Sequence, residues 1–143
     1  MAFSKIGVVG AGTMGNGIAQ AFAQAGFEVV MSDVAQAALD RALATISGSY
    51  DRLIKKEKMT AEQKAAALSR IKTATDLAAL KDSDLIIEAA TENLDLKLKI
   101  FRQLDDLAKP DAVIASNTSS ISITKLAAST KRPDKVIGMH FFN

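Results

Sequence analysis

Short apolar runs alternate with amphipathic helical patterns along the whole chain. This alternation is typical of a parallel β-sheet whose strands are connected by crossover helices. Strands are predicted at residues 5–9, 28–32, 71–75, 85–90, 112–116 and 135–140. Helices are predicted at residues 13–25, 39–53, 61–70, 94–107 and 123–129. The pattern predicts an α/β fold, a doubly wound parallel sheet of the Rossmann dinucleotide-binding type with strand order 3-2-1-4-5-6.

The connection after the second strand is longer than a minimal crossover. Leu39, Ala42, Ile46 and Tyr50 recur at three- and four-residue spacing, which indicates one long amphipathic helix. The segment Thr60-Ala-Glu-Gln63 has the form of a capping box, so a second helix is expected to begin at residue 61. We therefore predict a helical hairpin inserted after the second strand.

Composition places the chain among ordinary globular domains. Its 143 residues, 48% of them hydrophobic, are enough for one domain, which we assign to residues 1–143. The first residues lack the cationic and apolar pattern of a signal peptide, and every apolar run is shorter than the roughly 18 residues of a membrane span. A net charge of +2 does not indicate nucleic-acid binding. We expect neither a nucleic acid nor a membrane among the partners.

The chain contains no cysteine. This excludes disulfides, thiolate nucleophiles and cysteine-ligated zinc within the sequence, and it fits a reducing compartment, for which the cytoplasm is the simplest choice. The sequence also offers no cluster of histidine and carboxylate ligands, so no metal is expected.

A glycine-rich segment, Gly10-Ala-Gly12-Thr13-Met14-Gly15, joins the first predicted strand to the first helix. In a dinucleotide site the first glycine allows the tight turn, the second lets the backbone approach the pyrophosphate, and the third brings helix and strand together. The N–H groups at the helix start would bind the phosphates. We assign Gly10, Gly12, Thr13, Met14 and Gly15 to a cofactor site. The alternative is that the segment forms an ordinary turn.

Asp33 follows the second predicted strand, at the position of the acidic residue in this motif. Its carboxylate would accept hydrogen bonds from both hydroxyls of the adenosine ribose and would repel a 2′-phosphate. Val34 and Ala35 come next, so no immediate arginine is present to bind such a phosphate. NAD is therefore predicted over NADP; the alternative is a surface aspartate.

Three further blocks carry a family resemblance: residues 87–93 (IEAATEN), 116–120 (SNTSS) and 140–143 (HFFN). With the glycine loop they resemble the short-chain L-3-hydroxyacyl-CoA dehydrogenases over the whole chain. Other dinucleotide-binding folds share only the glycine loop. The resemblance implies reversible, NAD-dependent oxidation of an (S)-3-hydroxyacyl-CoA, with 3-hydroxybutyryl-CoA as the expected substrate.

The resemblance also implies roles for single residues. His140 and Ser119 would be the catalytic pair, with the imidazole as general base and the serine bound to the same substrate oxygen. Cofactor-binding roles are implied for Glu92, Lys97, Asn117, Ser119 and Asn143. Without the resemblance, His140 on its predicted apolar strand would be a core residue, Ser119 a helix cap and Lys97 a solvated side chain.

Ser49, Arg52 and Lys56 lie at i, i+3 and i+7, so they share one face of the long helix. That face is roughly 100° or more around from the apolar stripe. A basic cluster suits the phosphates of coenzyme A. In the family the hairpin contacts this carrier, and Ser49 and Lys56 align approximately with the contacting positions. The alternative is a solvated helix end whose lysines complement the helix dipole.

In the family, a mostly helical second domain follows the last block and supplies dimer contacts and further catalytic residues. The chain stops before it, at Asn143, so we expect a fragment with little activity whose full-length form is a homodimer. Two other functions stay open. One is a structural protein on the same scaffold, as in the lens crystallins, and the other is a dehydrogenase of a free hydroxy acid such as gulonate.

Overall fold

A computed structural model describes residues 3–90, 92–117 and 120–141, without the side chains of residues 120 and 121. One six-stranded sheet forms its centre, with all paired strands parallel. The strand order is β3-β2-β1-β4-β5-β6, which confirms the predicted doubly wound arrangement. The strands are β1 (Lys5–Val9), β2 (Glu28–Ser32), β3 (Ile71–Ala74), β4 (Leu85–Glu88), β5 (Val113–Ser116) and β6 (Val136–Gly138).

In the described part of the chain five α-helices flank the sheet: α1 (Thr13–Gln24), α2 (Gln36–Lys55), α3 (Ala61–Ser69), α4 (Leu94–Leu107) and α5 (Ser120–Ala128). The prediction for α4 is confirmed at both ends, whereas α5 begins three residues earlier than predicted. Two short 3₁₀ helices, Leu77–Leu80 and Pro133–Lys135, were not predicted. A single turn is too short to show a helical period in the sequence.

The predicted sixth strand was too long, because β6 ends at Gly138 and not at residue 140. Its partner among the described residues, β5, ends at Ser116, which lies opposite Gly138. The Met139 N–H donates to the Ser116 carbonyl oxygen at 3.0 Å, and the described residues show no strand pairing beyond that point. The prediction that His140 lies on a strand is therefore wrong. Strand β4 likewise ends at Glu88, two residues earlier than predicted.

The core has two layers, one on each face of the sheet. Alternate residues of a strand point to opposite faces, so Val8 belongs to the layer beneath α1 and α2, while Val9 belongs to the layer beneath α4 and α5. Ile87 and Ile86 divide in the same way. Because both faces are covered, the strands are apolar nearly throughout, as expected of a parallel sheet.

The helical hairpin of α2 and α3 packs against α1. Tyr50 of α2 is fully buried, and its hydroxyl donates to the Gln20 carbonyl oxygen at 2.7 Å. Burial raises the pKa of Tyr50 to about 12. At the start of α3, Thr60 and Gln63 form the predicted capping box, each accepting the backbone N–H of the other. The Tyr50 bond joins α2 to α1, and the capping box fixes the start of α3.

Parallel strands place all their carboxyl ends at one edge of the sheet, which leaves the other edge for structural ion pairs. Asp84, just before β4, accepts the N–H groups of Ser4 and Lys5 and pairs with Lys109. The Lys109 ammonium and the two N–H groups hold the pKa of the Asp84 carboxyl well below its usual range. None of the described helices is long and apolar enough to cross a membrane.

Candidate functional site

The carboxyl edge of the sheet gathers most of the residues singled out by the sequence. β1 leads into the glycine loop, β2 into Asp33, β4 into residues 89 and 90, and β5 into Asn117. The strand order reverses between β1 and β4, and ligands of open α/β sheets bind outside the carboxyl ends at such a point. Three clefts open along this edge.

Two glycines of the loop are required by the fold itself. Gly10 has a φ of +105°, and a Cβ there would lie 2.8 Å from the Ala89 carbonyl oxygen. A Cβ on Gly15 would lie 1.8 Å from the Gly10 carbonyl oxygen, so helix α1 could not approach the loop with any side chain at this position. The roles predicted for these glycines, a tight turn and close helix–strand packing, agree with these positions.

Gly12 differs from both. A Cβ at Gly12 would meet nothing within 4 Å, and φ is an ordinary −75°. The described part of the chain therefore gives no steric reason for glycine here. A ligand that approaches the backbone closely would supply one. Gly12 is also the N-cap residue of α1 and no described side chain caps it, so the first-turn N–H groups can bind an anion.

Asp33 is half-buried beside the loop. Its Oδ2 atom accepts the Ala11 N–H and its Oδ1 atom accepts the Ala35 N–H, each at 3.0 Å. The carboxylate thus connects the end of β2 to the glycine loop. Each oxygen retains further acceptor capacity, which could serve a pair of hydroxyls.

The first cleft, the apolar cleft, has a volume of about 330 Å³ and lies next to Asp33. Its walls are mainly apolar and include Val9, Leu77, Leu96 and Ile100. A slot of this composition suits a planar heterocycle. The unpredicted 3₁₀ helix at Leu77–Leu80 supplies one of its walls.

The second cleft, the loop cleft, is lined by Gly10, Gly12, Asn16, Asp33, Arg41 and Thr45, among others. Arg41 of α2 was missed in the sequence, because it does not directly follow Asp33 but lies on the next helix. The helix brings Arg41 back to the same cleft as Asp33. A guanidinium beside the glycine loop suits a phosphate. The sequence did contain a signal for Arg41. Arg41, Thr45 and Ser49 follow one another at four-residue steps, so Arg41 shares a helix face with the predicted basic strip.

The third cleft, the lysine cleft, has a volume of about 260 Å³. It brings together residues from the glycine loop, the connection between β4 and α4, helix α4 itself and the end of β5: Gly12, Thr13, Met14, Glu92, Lys97 and Asn117. All six were assigned to the cofactor site from the sequence. Glu92 is exposed and Asn117 is half-buried.

Lys97 is buried, which overturns the alternative of a solvated side chain. Lys97 is only 2% exposed, and its Nζ atom lies 2.6 Å from Glu88 Oε1. It is in the first turn of α4, on the side that packs against the sheet. Glu88 and Ser116, the last residues of β4 and β5, are the other buried polar groups here and were not singled out in the sequence. The sequence signal for them was the presence of a polar residue at the end of each of two apolar strands.

His140 lies two residues past the end of β6 and is exposed. The bond between Met139 and Ser116 keeps its segment beside the end of β5, on the functional edge of the sheet. His140 is therefore not a core residue. Ser119 and Asn143, predicted to act with it, lie outside the described residues.

The basic strip on α2 was predicted to contain Ser49, Arg52 and Lys56. The structure places the first two on one face of the helix. Arg52 donates to the Ser49 hydroxyl oxygen at 2.9 Å, so the two side chains share a face. Lys56 is the C-cap residue, one position beyond the helix, and is exposed like Arg52. Arg41 and Thr45 precede Ser49 at four-residue steps. The polar face therefore extends from the loop cleft to the end of α2.

The fold and these clefts define an NAD-binding domain of the dehydrogenase class. Residues 5–143 match the family "3-hydroxyacyl-CoA dehydrogenase, NAD binding domain". The chain belongs to this family, and NAD is its cofactor. The resemblance found in the sequence is thereby confirmed.

Individual relatives agree with this assignment. The chain is 52% identical to a 3-hydroxybutyryl-CoA dehydrogenase of Bradyrhizobium diazoefficiens, covering 97% of the chain and 47% of the relative. It is 49% identical to one of Clostridioides difficile, covering 97% and 50%. The crystal structure of (S)-3-hydroxybutyryl-CoA dehydrogenase from Ralstonia eutropha superposes with a TM-score of 0.95 at 59% identity, covering 99% and 50%. The chain thus spans about half the length of the relatives it matches.

Proposed function

We propose that the chain is the cofactor-binding part of an enzyme that oxidises (S)-3-hydroxyacyl-CoA to 3-ketoacyl-CoA, reversibly and with NAD. The observation that carries this proposal is the lysine cleft, where the glycine loop, Lys97 and Asn117 meet at the carboxyl edge on which the His140 segment lies. The names of the similar proteins support 3-hydroxybutyryl-CoA as the substrate.

We expect the dinucleotide to run in one direction along the sheet edge, through the three clefts in turn. The apolar cleft would hold the adenine ring, and Asp33 would accept the hydroxyls of the attached ribose. The backbone at Gly12, the start of α1 and Arg41 would bind the pyrophosphate. This leaves the lysine cleft for the nicotinamide half. When bound, NAD⁺ supplies the hydride acceptor.

His140 would act as the general base in oxidation and the general acid in reduction. An imidazole suits both roles, because a ring nitrogen can take a proton in one direction of the reaction and return it in the other. Its exposure leaves the imidazole free to meet the 3-hydroxyl of a substrate that arrives from outside the chain. Ser119 would donate a hydrogen bond to the same oxygen and fix C3 against the nicotinamide.

The polar face of α2 would bind the phosphates of the coenzyme A carrier. Ser49, Arg52 and Lys56 would contact the carrier directly, since Arg52 and Lys56 are exposed and Ser49 is half-buried. A free hydroxy acid has no phosphate-bearing carrier for these residues to bind. The basic face therefore favours a thioester over gulonate or another free acid.

We further propose that a second, mostly helical domain completes the substrate pocket and forms a homodimer interface in the full-length protein. An exposed catalytic imidazole is consistent with a pocket that other residues close. The predicted location is the cytoplasm, on the basis of the absence of cysteine.

The test is turnover by the full-length protein of 3-hydroxybutyryl-CoA and of free 3-hydroxybutyrate, each with NAD⁺. We expect turnover of the thioester only. Turnover of the free acid at an equal rate would favour the alternative dehydrogenase, and no turnover of either would favour a structural protein. Residues 1–143 alone should bind NADH with little or no activity, and substantial turnover by them would contradict the proposed role of the second domain.

A further inference from the structure

A buried network of three polar side chains lies beneath the lysine cleft. Glu88 and Ser116 are 0% exposed and Lys97 is 2% exposed. Glu88 Oε1 accepts from Lys97 Nζ at 2.6 Å and from the Ser116 hydroxyl at 2.7 Å. A longer contact of 3.5 Å joins Lys97 Nζ to Ser116 Oγ. The network connects the ends of β4 and β5 to the first turn of α4.

Ion pairs in the interior are costly, and apolar replacements of similar volume are often at least as stable. Stability alone is therefore a weak reason for this network. The other buried pair, Arg132 and Asp105, gives a useful comparison. There each guanidinium nitrogen donates to a protein oxygen, at Asp105 and at the carbonyls of residues 105, 109 and 112. That pair lies near the amino end of β5 and lines none of the three clefts.

Lys97 is different because it also lines the lysine cleft. An ammonium group has three N–H donors. Glu88 accepts one at short distance and Ser116 accepts a second over a longer one, so among the described residues the third N–H has no acceptor and can serve one in the cleft. The charge is thus held at the wall of a ligand cleft by a carboxylate that does not itself line that cleft.

We propose that Glu88 is a positioning residue for the cofactor. It holds the Lys97 ammonium so that the remaining N–H meets a hydroxyl of the nicotinamide-side ribose. This inference rests on the proposed direction of NAD along the sheet edge. Glu88 also fixes the opposite wall, because its Oε2 atom accepts the Ala90 N–H at 2.8 Å and so holds the turn that packs against Gly10.

The chemistry of the network requires a carboxylate at position 88. Both oxygens act as acceptors, one for Lys97 and Ser116 and the other for the Ala90 N–H. A glutamine has one carbonyl oxygen, and its NH₂ group would face a donor at one of the two positions. Glu88→Gln is therefore nearly isosteric but cannot satisfy the network.

The experiment measures the affinities of the chain for NADH and for ADP, which lacks the nicotinamide half. Glu88→Gln should weaken NADH binding about tenfold, as expected for one charge-assisted hydrogen bond, and leave ADP binding within about twofold. Lys97→Met should have the same two effects. The double variant should bind NADH no more weakly than Lys97→Met, since the glutamine carbonyl oxygen can still accept the Ala90 N–H and the rest of the effect of Glu88 acts through Lys97. It should also melt at a higher temperature than Glu88→Gln, in which the buried ammonium has no counter-charge.

Asp105→Asn is the matched control, because it breaks the other buried pair. It should lower the melting temperature and leave NADH affinity unchanged. An unchanged NADH affinity in Glu88→Gln, or an equal loss of ADP and NADH affinity, would overturn the positioning role while the proposed function stands. If the unsubstituted chain bound no NADH, the proposed function would fail first. Should Glu88→Gln not fold, the comparison of the double variant with Lys97→Met carries the test: equal NADH affinities are expected, and a weaker affinity in the double variant would overturn the claim that Glu88 acts through Lys97.

Discussion

Asp33 Oδ2 accepts the Ala11 N–H at 3.0 Å, which joins the end of β2 to the glycine loop. The carboxylate is thus oriented by backbone N–H groups and retains further acceptor capacity. The proposed ribose would then require little rearrangement of this side chain. An oriented acceptor loses less entropy on binding than a free one.

Replacement of Asp33 by serine should weaken NADH binding by about 1–2 kcal/mol, the loss expected for one charge-assisted hydrogen bond. NADPH should bind the unsubstituted chain much more weakly than NADH, because the carboxylate repels a 2′-phosphate. Titration of both cofactors measures the two effects. Asp40→Ser, an exposed change on α2, is the control. Equal affinities of the unsubstituted chain for NADH and NADPH would contradict the role of Asp33.

Two glycine substitutions in one loop should have opposite consequences. Gly12→Ala should leave the melting temperature nearly unchanged, since a Cβ there meets nothing within 4 Å, yet weaken NADH binding about tenfold or more. Gly15→Ala should lower the free energy of unfolding by about 1–3 kcal/mol, because its Cβ collides with the Gly10 carbonyl oxygen. Thermal melting and NADH titration separate the two. If Gly12→Ala binds NADH normally, no ligand approaches the loop as proposed.

Lys56→Glu in the full-length protein should raise KM for the acyl-CoA and leave kcat nearly unchanged, because it removes a contact made equally in ground and transition states. The effect should shrink at high salt, since exposed charges are screened. Lys125→Glu on α5 makes the same charge change on the other face of the sheet and serves as control. An unchanged KM in Lys56→Glu would mean that Lys56 is a solvated surface side chain and does not contact the carrier.

His140→Gln in the full-length protein should lower kcat by about 10²–10⁴, the usual contribution of a general base. Because His140 is exposed and lies beyond β6, folding and NADH affinity should be nearly unaffected. Turnover, melting temperature and NADH titration are measured together. A loss of folding or of NADH binding would make His140 a structural residue.

Asp84 should contribute to the pH dependence of stability. Its pKa is lowered in the folded chain by Lys109 and by the N–H groups of Ser4 and Lys5. The stabilisation is therefore fully present above the unfolded-state pKa of about 3.9, and it is lost as the pH falls toward the folded-state pKa. Asp84→Asn should destabilise the chain by about 1–2 kcal/mol at neutral pH, with a shrinking difference below about pH 4. NADH affinity should not change, because Asp84 lies at the amino edge of the sheet.

The sequence by itself determined the order of elements, and with it the sheet. The alternation of apolar runs and helical patterns is local information, and connection rules restrict how such elements assemble. The glycine loop and Asp33 could be found for the same reason, since both stand at fixed offsets from β1 and β2. The family resemblance supplied Lys97, Asn117 and Glu92, and the lysine cleft joins all three.

Only the tertiary structure decided which side chains are buried and where paired strands stop. Lys97 lies on a charged helix, and its burial depends on Glu88 and Ser116, which two different strands bring to it. His140 is off the strand because β5 ends at Ser116, a limit set by the partner and not by the apolar pattern of β6. Arg41 enters the loop cleft because α2 turns its polar face back toward the glycine loop. Each outcome depends on contacts between residues far apart in the chain, which no local pattern records.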